Sequence, residues 1–300
     1  MASINHPDGC VGARTKVQED DPGESVIPHH ILHDPELRRR RIVLKSVLKP
    51  DVVFRTASEN APNYVVKAFD LNTEELQIYE RLLGDLKRPA NHTPPSEILR
   101  STQPFLIMPV LSELTTYVLT DTSLRFGLRV FYELIQGVEY LHDLHIAHLD
   151  IYPGNAMVAL PYDTTFHKSL VPDRIYIIDF DTARQFSLGP GVQPAIILPE
   201  TQPHPPNGLT HFDPYSWDVY CLGRMFEYFL EVCYASEGLQ PPWIARRYVQ
   251  WLVGNERGCT KTCRCRPRAK TARRVLTLIR WVLPVIEALQ SLADKFSNRT

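Results

Sequence analysis

Residues 141–155 read Leu141-His142-Asp143-Leu144-His145-Ile146-Ala147-His148-Leu149-Asp150-Ile151-Tyr152-Pro153-Gly154-Asn155, and residues 175–181 read Ile175-Tyr176-Ile177-Ile178-Asp179-Phe180-Asp181. The first stretch leaves a helix near Leu144 and enters a loop closed by a Pro-Gly turn. The second is a short apolar run ending in acids, which reads as a buried strand. Asp150, Asn155 and Asp179 therefore follow one another as carboxylate, amide and carboxylate. A buried strand ending in Asp fixes that carboxylate at the mouth of a cleft. These three residues are the core of the candidate site.

Ahead of this pair of segments, Ser123–Leu144 carries apolar residues at helical spacing, including Leu124, Leu128, Phe131, Leu134 and Val138. Behind it, Pro214–Tyr234 is apolar nearly all round, as expected of a helix buried inside a helical body. Residues 161–172, bounded by Pro161 and Pro172, read as an inserted hairpin loop. Nearer the start, Arg41–Leu48, Asp51–Ala57 and Asn63–Phe69 are β-rich runs separated by turn signals. Asn72 with Glu75 three residues on suggests a capping box opening a helix, and Pro104–Val110 is a further strand. The fold class expected is α+β: a small β-rich part over residues 31–109 and a larger, mainly α-helical part over 110–300. Residues 1–30 are polar and acidic without periodicity, and read as a flexible tail.

Composition sets the outer bounds. The chain has 300 residues, 33 Lys+Arg and 34 Asp+Glu, 44% hydrophobic and 22% charged residues. This is globular composition, and a formal net charge of −1 gives no overall pull toward nucleic acid or acidic membranes. The apolar stretch from Val275 to Ala293 is broken by Arg280, Pro284 and Glu287, so no membrane span is expected. The first ten residues lack a secretory pattern, and the six cysteines lack disulfide-framework spacing. An intracellular protein, cytoplasmic or nuclear, is the expectation. Residues 256–274 hold a basic run with Cys259, Cys263 and Cys265. Three local thiols fall short of the four ligands of structural zinc, and the aromatics of a nucleic-acid surface are missing. An exposed basic insertion between helices is the reading there, as a solvated lead-in is for Arg38–Arg41. The last helix, Val275–Leu292, is expected to pack Leu278, Trp281, Ile286 and Leu289 inward.

With these landmarks in order, the chain resembles the protein kinase superfamily, in a divergent, fungal-type form. His148-Leu149-Asp150 through Asn155 is similar to that family's catalytic loop, and Asp179-Phe180-Asp181 to its magnesium-binding triplet. Tyr64-Val65-Val66-Lys67 resembles the strand bearing the phosphate-pairing lysine. Glu75 would be its ion-pair partner, Leu198-Pro199-Glu200 the end of the activation segment, and Asp218 the brace of the catalytic loop. The resemblance implies a bilobal fold that binds ATP and Mg2+ and transfers the γ-phosphate to Ser or Thr of a protein substrate. Asp150 would take the hydroxyl proton, and Asn155 and Asp179 would hold the metal. Met108, Pro109 and Leu111 would line the adenine-binding linker. A scaffolding pseudokinase and a small-molecule phosphotransferase of the aminoglycoside or choline kinase type are the alternatives. The departures are specific. No glycine lies between Ser46 and Val53, Leu149 replaces the loop arginine, Tyr152 stands where a lysine is usual, and Asp181 replaces a glycine.

Overall fold

The computed structural model describes residues 26–58, 62–206, 208–235, 238–254 and 261–297. Most of the expected tail, Cys259, and the side chains of Ile286 and Leu289 lie outside the described residues. The architecture is mixed α/β.

The chain opens with two short helices, α1 (His29–Leu32) and α2 (Pro35–Arg39). Asp34 caps α2, its Oδ1 accepting the N–H groups of Glu36 and Leu37 at 3.0 Å each. The tetra-arginine is thus partly helical, with Arg40 ion-paired to Glu97 at 2.5 Å. Ile31 and Leu37 are buried with Phe54, Val66, Phe105 and Ile107. The lead-in therefore covers one face of the sheet, and the expected tail boundary at residue 30 falls inside α1.

That sheet has five antiparallel strands in the order β1-β2-β3-β5-β4. They are β1 (Leu44–Lys49), β2 (Val53–Thr56), β3 (Tyr64–Ala68), β4 (Glu97–Leu99) and β5 (Phe105–Pro109). The register sets Val53 opposite Lys67 and Lys67 opposite Leu106, with Arg55 opposite Val65 and Val65 opposite Met108. Alternation along the strands then turns Val53, Arg55, Val65, Lys67 and Met108 to the face opposite Phe54 and Val66. Pro109 closes β5 beyond the end of β4, whose pairing stops at Glu97 with Ile107. Its missing N–H therefore leaves no ladder bond unmade.

Between β3 and β4 lies α3 (Glu75–Leu83), which buries Ile78, Tyr79 and Leu82. The expected capping box does not form. Asn72 donates to Asp70 Oδ1, Thr73 Oγ1 accepts the Glu75 N–H at 3.4 Å, and the Glu75 carboxylate is turned to Lys67 instead.

The remainder is mainly helical. After β6 (Ser112–Glu113) and α4 (Leu114–Val118) comes α5 (Leu124–Asp143), capped by Ser123. Short strands β7 (Ile146–Ala147), β8 (Ala156–Val158) and β9 (Ile175–Ile177) follow, with the helical turn α6 (Asp163–Phe166) inside the inserted segment. Then β10 (Arg184–Gln185) pairs with β7, and β11 (Ile196–Ile197) pairs with β12 (His211–Phe212). Helix α7 (Pro214–Ala235) is buried along most of its length, as its all-round apolarity requires. Phe226 on α7 stacks on Phe131 of α5 with ring centres 3.8 Å apart.

The end of the chain holds two corrections. In α9 (Ala269–Ser297), Leu278 and Trp281 are 64% and 78% exposed. The inward face is instead Ala272, Leu276, Ile279 and Leu283. Arg273, paired with Glu139 of α5, sets this phase. In the segment after α8 (Trp243–Val253), Arg266 is only 7% exposed. That part of the expected exposed insertion is an anchor into the core.

Candidate active site

Lys67 sits in the middle of β3, 4% exposed, and its Nζ donates to Glu75 Oε1 of α3 at 2.6 Å and to Asp179 Oδ1. An ammonium taken out of water is tolerated only with opposite charge against it. Burial acts to lower the Lys67 pKa, but the carboxylates of Glu75 and Asp179 outweigh it and the net direction is upward. Glu75 is 1% exposed, and its second oxygen has no hydrogen-bond partner among the described residues. Burial therefore pushes this carboxyl up to about 7 despite the neighbouring ammonium.

The loop bearing Asp150 is fixed from α7. Asp218, fully buried, accepts the His148 N–H (2.9 Å) and the Leu149 N–H (2.8 Å), and pairs with His142 Nε2 (2.9 Å). Turning two successive amides to one carboxylate bends the backbone, and Leu149 takes a left-handed φ of 68°. Trp217 Nε1 holds the Leu149 carbonyl at 2.8 Å. His148 then ties loop to strand. Its Nδ1 accepts the Asp150 N–H (3.3 Å), so its Nε2 is the donor to the Ile178 carbonyl (3.1 Å). Phe180 is buried between His148 and Tyr79, with ring centres 4.9 and 5.1 Å away. Asp179 itself adopts φ 66°, the turn that brings its carboxylate back to Lys67.

Asn155 lies on the turn Pro153–Asn155, and its Nδ2 donates to the Asp150 carbonyl (2.9 Å) and to Asp150 Oδ2 (3.1 Å). The other Asp150 oxygen accepts the Gln202 N–H at 2.7 Å. Burial raises the Asp150 pKa, and the Gln202 amide works against that shift. A carboxylate moved toward neutrality is a better proton acceptor at physiological pH.

Lys67, Asn155 and Asp179 line a cleft enclosing about 1160 Å³ continuous with solvent. Val53, Val65, Met108, Pro109, Leu111, Met157 and Ile178 give it apolar walls. Lys49, Arg55, Glu113 and Tyr152 add polar side chains to its lining. Glu75 and Asp150 are not in the lining and join the site through their contacts, Glu75 with Lys67 and Asp150 with Asn155. Glu200 of the Leu198-Pro199-Glu200 stretch is exposed.

Two participants were not found by sequence reasoning. Lys49, at the end of β1, lines the cleft and places Nζ 3.7 Å from Asp181 Oδ2. Gln202 reaches Asp150 through its backbone, which no side-chain pattern announces. No sequence pattern marked Lys49 either: its place follows from the turn after β1, where the Val52 N–H donates to the Lys49 carbonyl at 3.2 Å.

No helix among the described residues is long and apolar enough to cross a membrane. No protein-family model matches the chain. One curated protein, the serine/threonine-protein kinase CAK1 of Saccharomyces cerevisiae (strain ATCC 204508 / S288c), is 31% identical over 108 residues, 36% of this chain. The matched part spans 27% of that relative's length, so the likeness is a partial one, to a kinase.

Proposed function

We propose that the chain is an ATP-dependent phosphotransferase of protein kinase type. The five-stranded sheet with α3 would form a small lobe (31–109) and the helical remainder (110–300) the larger one. The observation that carries this reading is the buried Lys67 ammonium, shared by Glu75 and Asp179, in the lining of a cleft with apolar walls. A cation between two carboxylates is costly to bury for stability alone, and it suits a site that meets phosphate. The apolar walls suit a purine ring. In this reading Met108, Pro109 and Leu111 face the base, Lys67 pairs with phosphate oxygens, and Asp150 accepts the proton of a Ser or Thr hydroxyl on a protein substrate.

The donor set also fits magnesium. Asp179 and Asn155 offer hard oxygen atoms, and Mg2+ is commonly held by one or two carboxylates plus substrate phosphates. Bound there, it would supply charge neutralisation to the phosphates.

One observation favours a second reading, a nucleotide-binding scaffold without turnover. Both Asp150 oxygens already accept a hydrogen bond, one from Asn155 and one from the Gln202 amide, so a substrate hydroxyl would share an engaged oxygen. Thermal-shift titration with Mg-ATP, followed by transfer of labelled γ-phosphate to a generic protein substrate, separates the two. Binding with transfer is expected. Binding without transfer selects the scaffold, and no binding refutes both.

A further inference from the structure

Cys263 and Cys265 of the basic segment do not line the cleft. Cys263 and Cys265 place their Sγ atoms 3.1 Å apart. Cys265 is exposed and Cys263 half-buried, whereas Cys221 and Cys233 are buried in the core. The short segment carrying the pair is anchored at both ends. Before it, the Cys263 N–H donates to Asp213 Oδ2 at 2.9 Å. The other oxygen of Asp213 caps α7 by accepting the N–H groups of Tyr215 and Ser216. After it, Arg266 donates from Nε to the Val253 carbonyl at 2.7 Å and lies 5.0 Å over the Tyr220 ring. Such anchoring holds two thiols together at the surface and removes the entropy of bringing them into contact. Arg266 Nη1 also lies 3.8 Å from Cys265 Sγ, and reactive thiols are found in such electropositive, partly exposed places.

We propose that Cys263 and Cys265 form a redox-active dithiol that closes reversibly to an intramolecular disulfide by exchange with a low-molecular-weight disulfide. The exposed Cys265 thiolate attacks one sulfur of the small disulfide, forming a mixed disulfide and releasing one small thiolate. The Cys263 thiolate then attacks Cys265 Sγ, forming the Cys263–Cys265 bond and expelling the second small thiolate. The two protons given up by the cysteines end on the two released thiols. Two electrons pass from the protein to the small disulfide. Reduction by an excess of small dithiol runs the same steps backward.

The test uses the full chain, reduced and then incubated with oxidised glutathione. The expected product is lighter by about 2 Da, the loss of two hydrogens, with two fewer titratable thiols. Trypsin cuts after Arg264, between the two cysteines. The oxidised digest should therefore hold Thr262-Cys263-Arg264 joined to Cys265-Arg266-Pro267-Arg268, and dithiothreitol should separate them. In the Cys263→Ser variant, exchange should stop at a glutathione adduct on Cys265. Three results would overturn the proposal. One is a wild-type reaction that stops at the adduct. Another is a disulfide mapped to Cys10 or Cys259. The third is a reduced chain whose thiols resist exchange until a chelator removes bound zinc.

Discussion

The ammonium of Lys67 is shared by the carboxylates of Glu75 and Asp179. Replacing it, as in Lys67→Met, leaves the buried Glu75 and the partly exposed Asp179 without that cation between them. Breaking a buried pair this way costs about 3–5 kcal/mol, so a lower denaturant midpoint is expected, with an unchanged midpoint as the contrary result. The same pair predicts a pH response. The Glu75 carboxyl rises from its ordinary 4.5 to about 7 in the folded chain. Between those values the unfolded chain has released a proton that the native state still holds. The contribution of Glu75 is therefore complete below pH 4.5 and is lost as pH rises through about 7. Urea melts of wild type and Glu75→Gln across that window should show the wild-type advantage shrinking with pH, and a constant difference would refute the shift. Lys49 belongs to this scale as well. The hairpin before Lys67 lacks glycines whose amides could approach phosphate, and Lys49 brings a positive charge to the same place, resting on Asp181. Lys49→Ala should weaken ATP binding about tenfold, or about 1.4 kcal/mol; calorimetry showing equal affinity would assign Lys49 to the surface alone.

Elements decide whether these residues meet. Helix α5 lies so close to β9 that a Cβ on Gly137 would stand 2.8 Å from Ile177 Cδ1 and 3.0 Å from His92 Cβ. The His92 backbone cannot retreat, because its carbonyl accepts the Ile177 N–H at 2.8 Å and its ring Nδ1 holds the Ile175 carbonyl at 2.7 Å. Gly137→Ala should therefore destabilise by about 1–3 kcal/mol, as overpacked cores do. Because β9 leads directly to Asp179, Mg-ATP affinity should fall with it. Stability and affinity both unchanged would show that the helix can shift freely. Elements are also where sequence reading was least complete. α5 and α7 were legible because one apolar face, or an all-apolar surface, admits one placement. In α9, Leu276, Leu278, Ile279, Trp281 and Leu283 ring the helix, so apolar spacing alone could not select the buried face. The pairing of Arg273 with Glu139, distant in sequence, selected it. The capping box at Asn72 failed for a similar reason, since Lys67 held the stronger claim on Glu75.

At the scale of the whole molecule, chain order pointed to residues that the fold ties together by contact: Lys67 with Glu75 and Asp179, Asp150 with Asn155, and Asp218 with the loop at Leu149. The site was illegible where backbone geometry or a distant approach makes the contact, as with Gln202 on Asp150 and Lys49 on Asp181. The strand segments and helices converge on one cleft, so a ligand there should stabilise the chain as a unit. At one hundred times its dissociation constant, a ligand specific for the native state adds about 2.7 kcal/mol. Mg-ATP at that excess should raise the melting temperature, and chelating the metal should cut the rise by restoring repulsion between phosphates and the two acids of the triplet. Asp179→Ala is the sharper probe. It removes one acid while leaving Lys67 its 2.6 Å partner Glu75, so the fold should persist and ATP binding should lose its dependence on magnesium. If the variant melts like wild type and still binds ATP more tightly with magnesium than without, the metal is held elsewhere and the assignment of Asp179 is wrong.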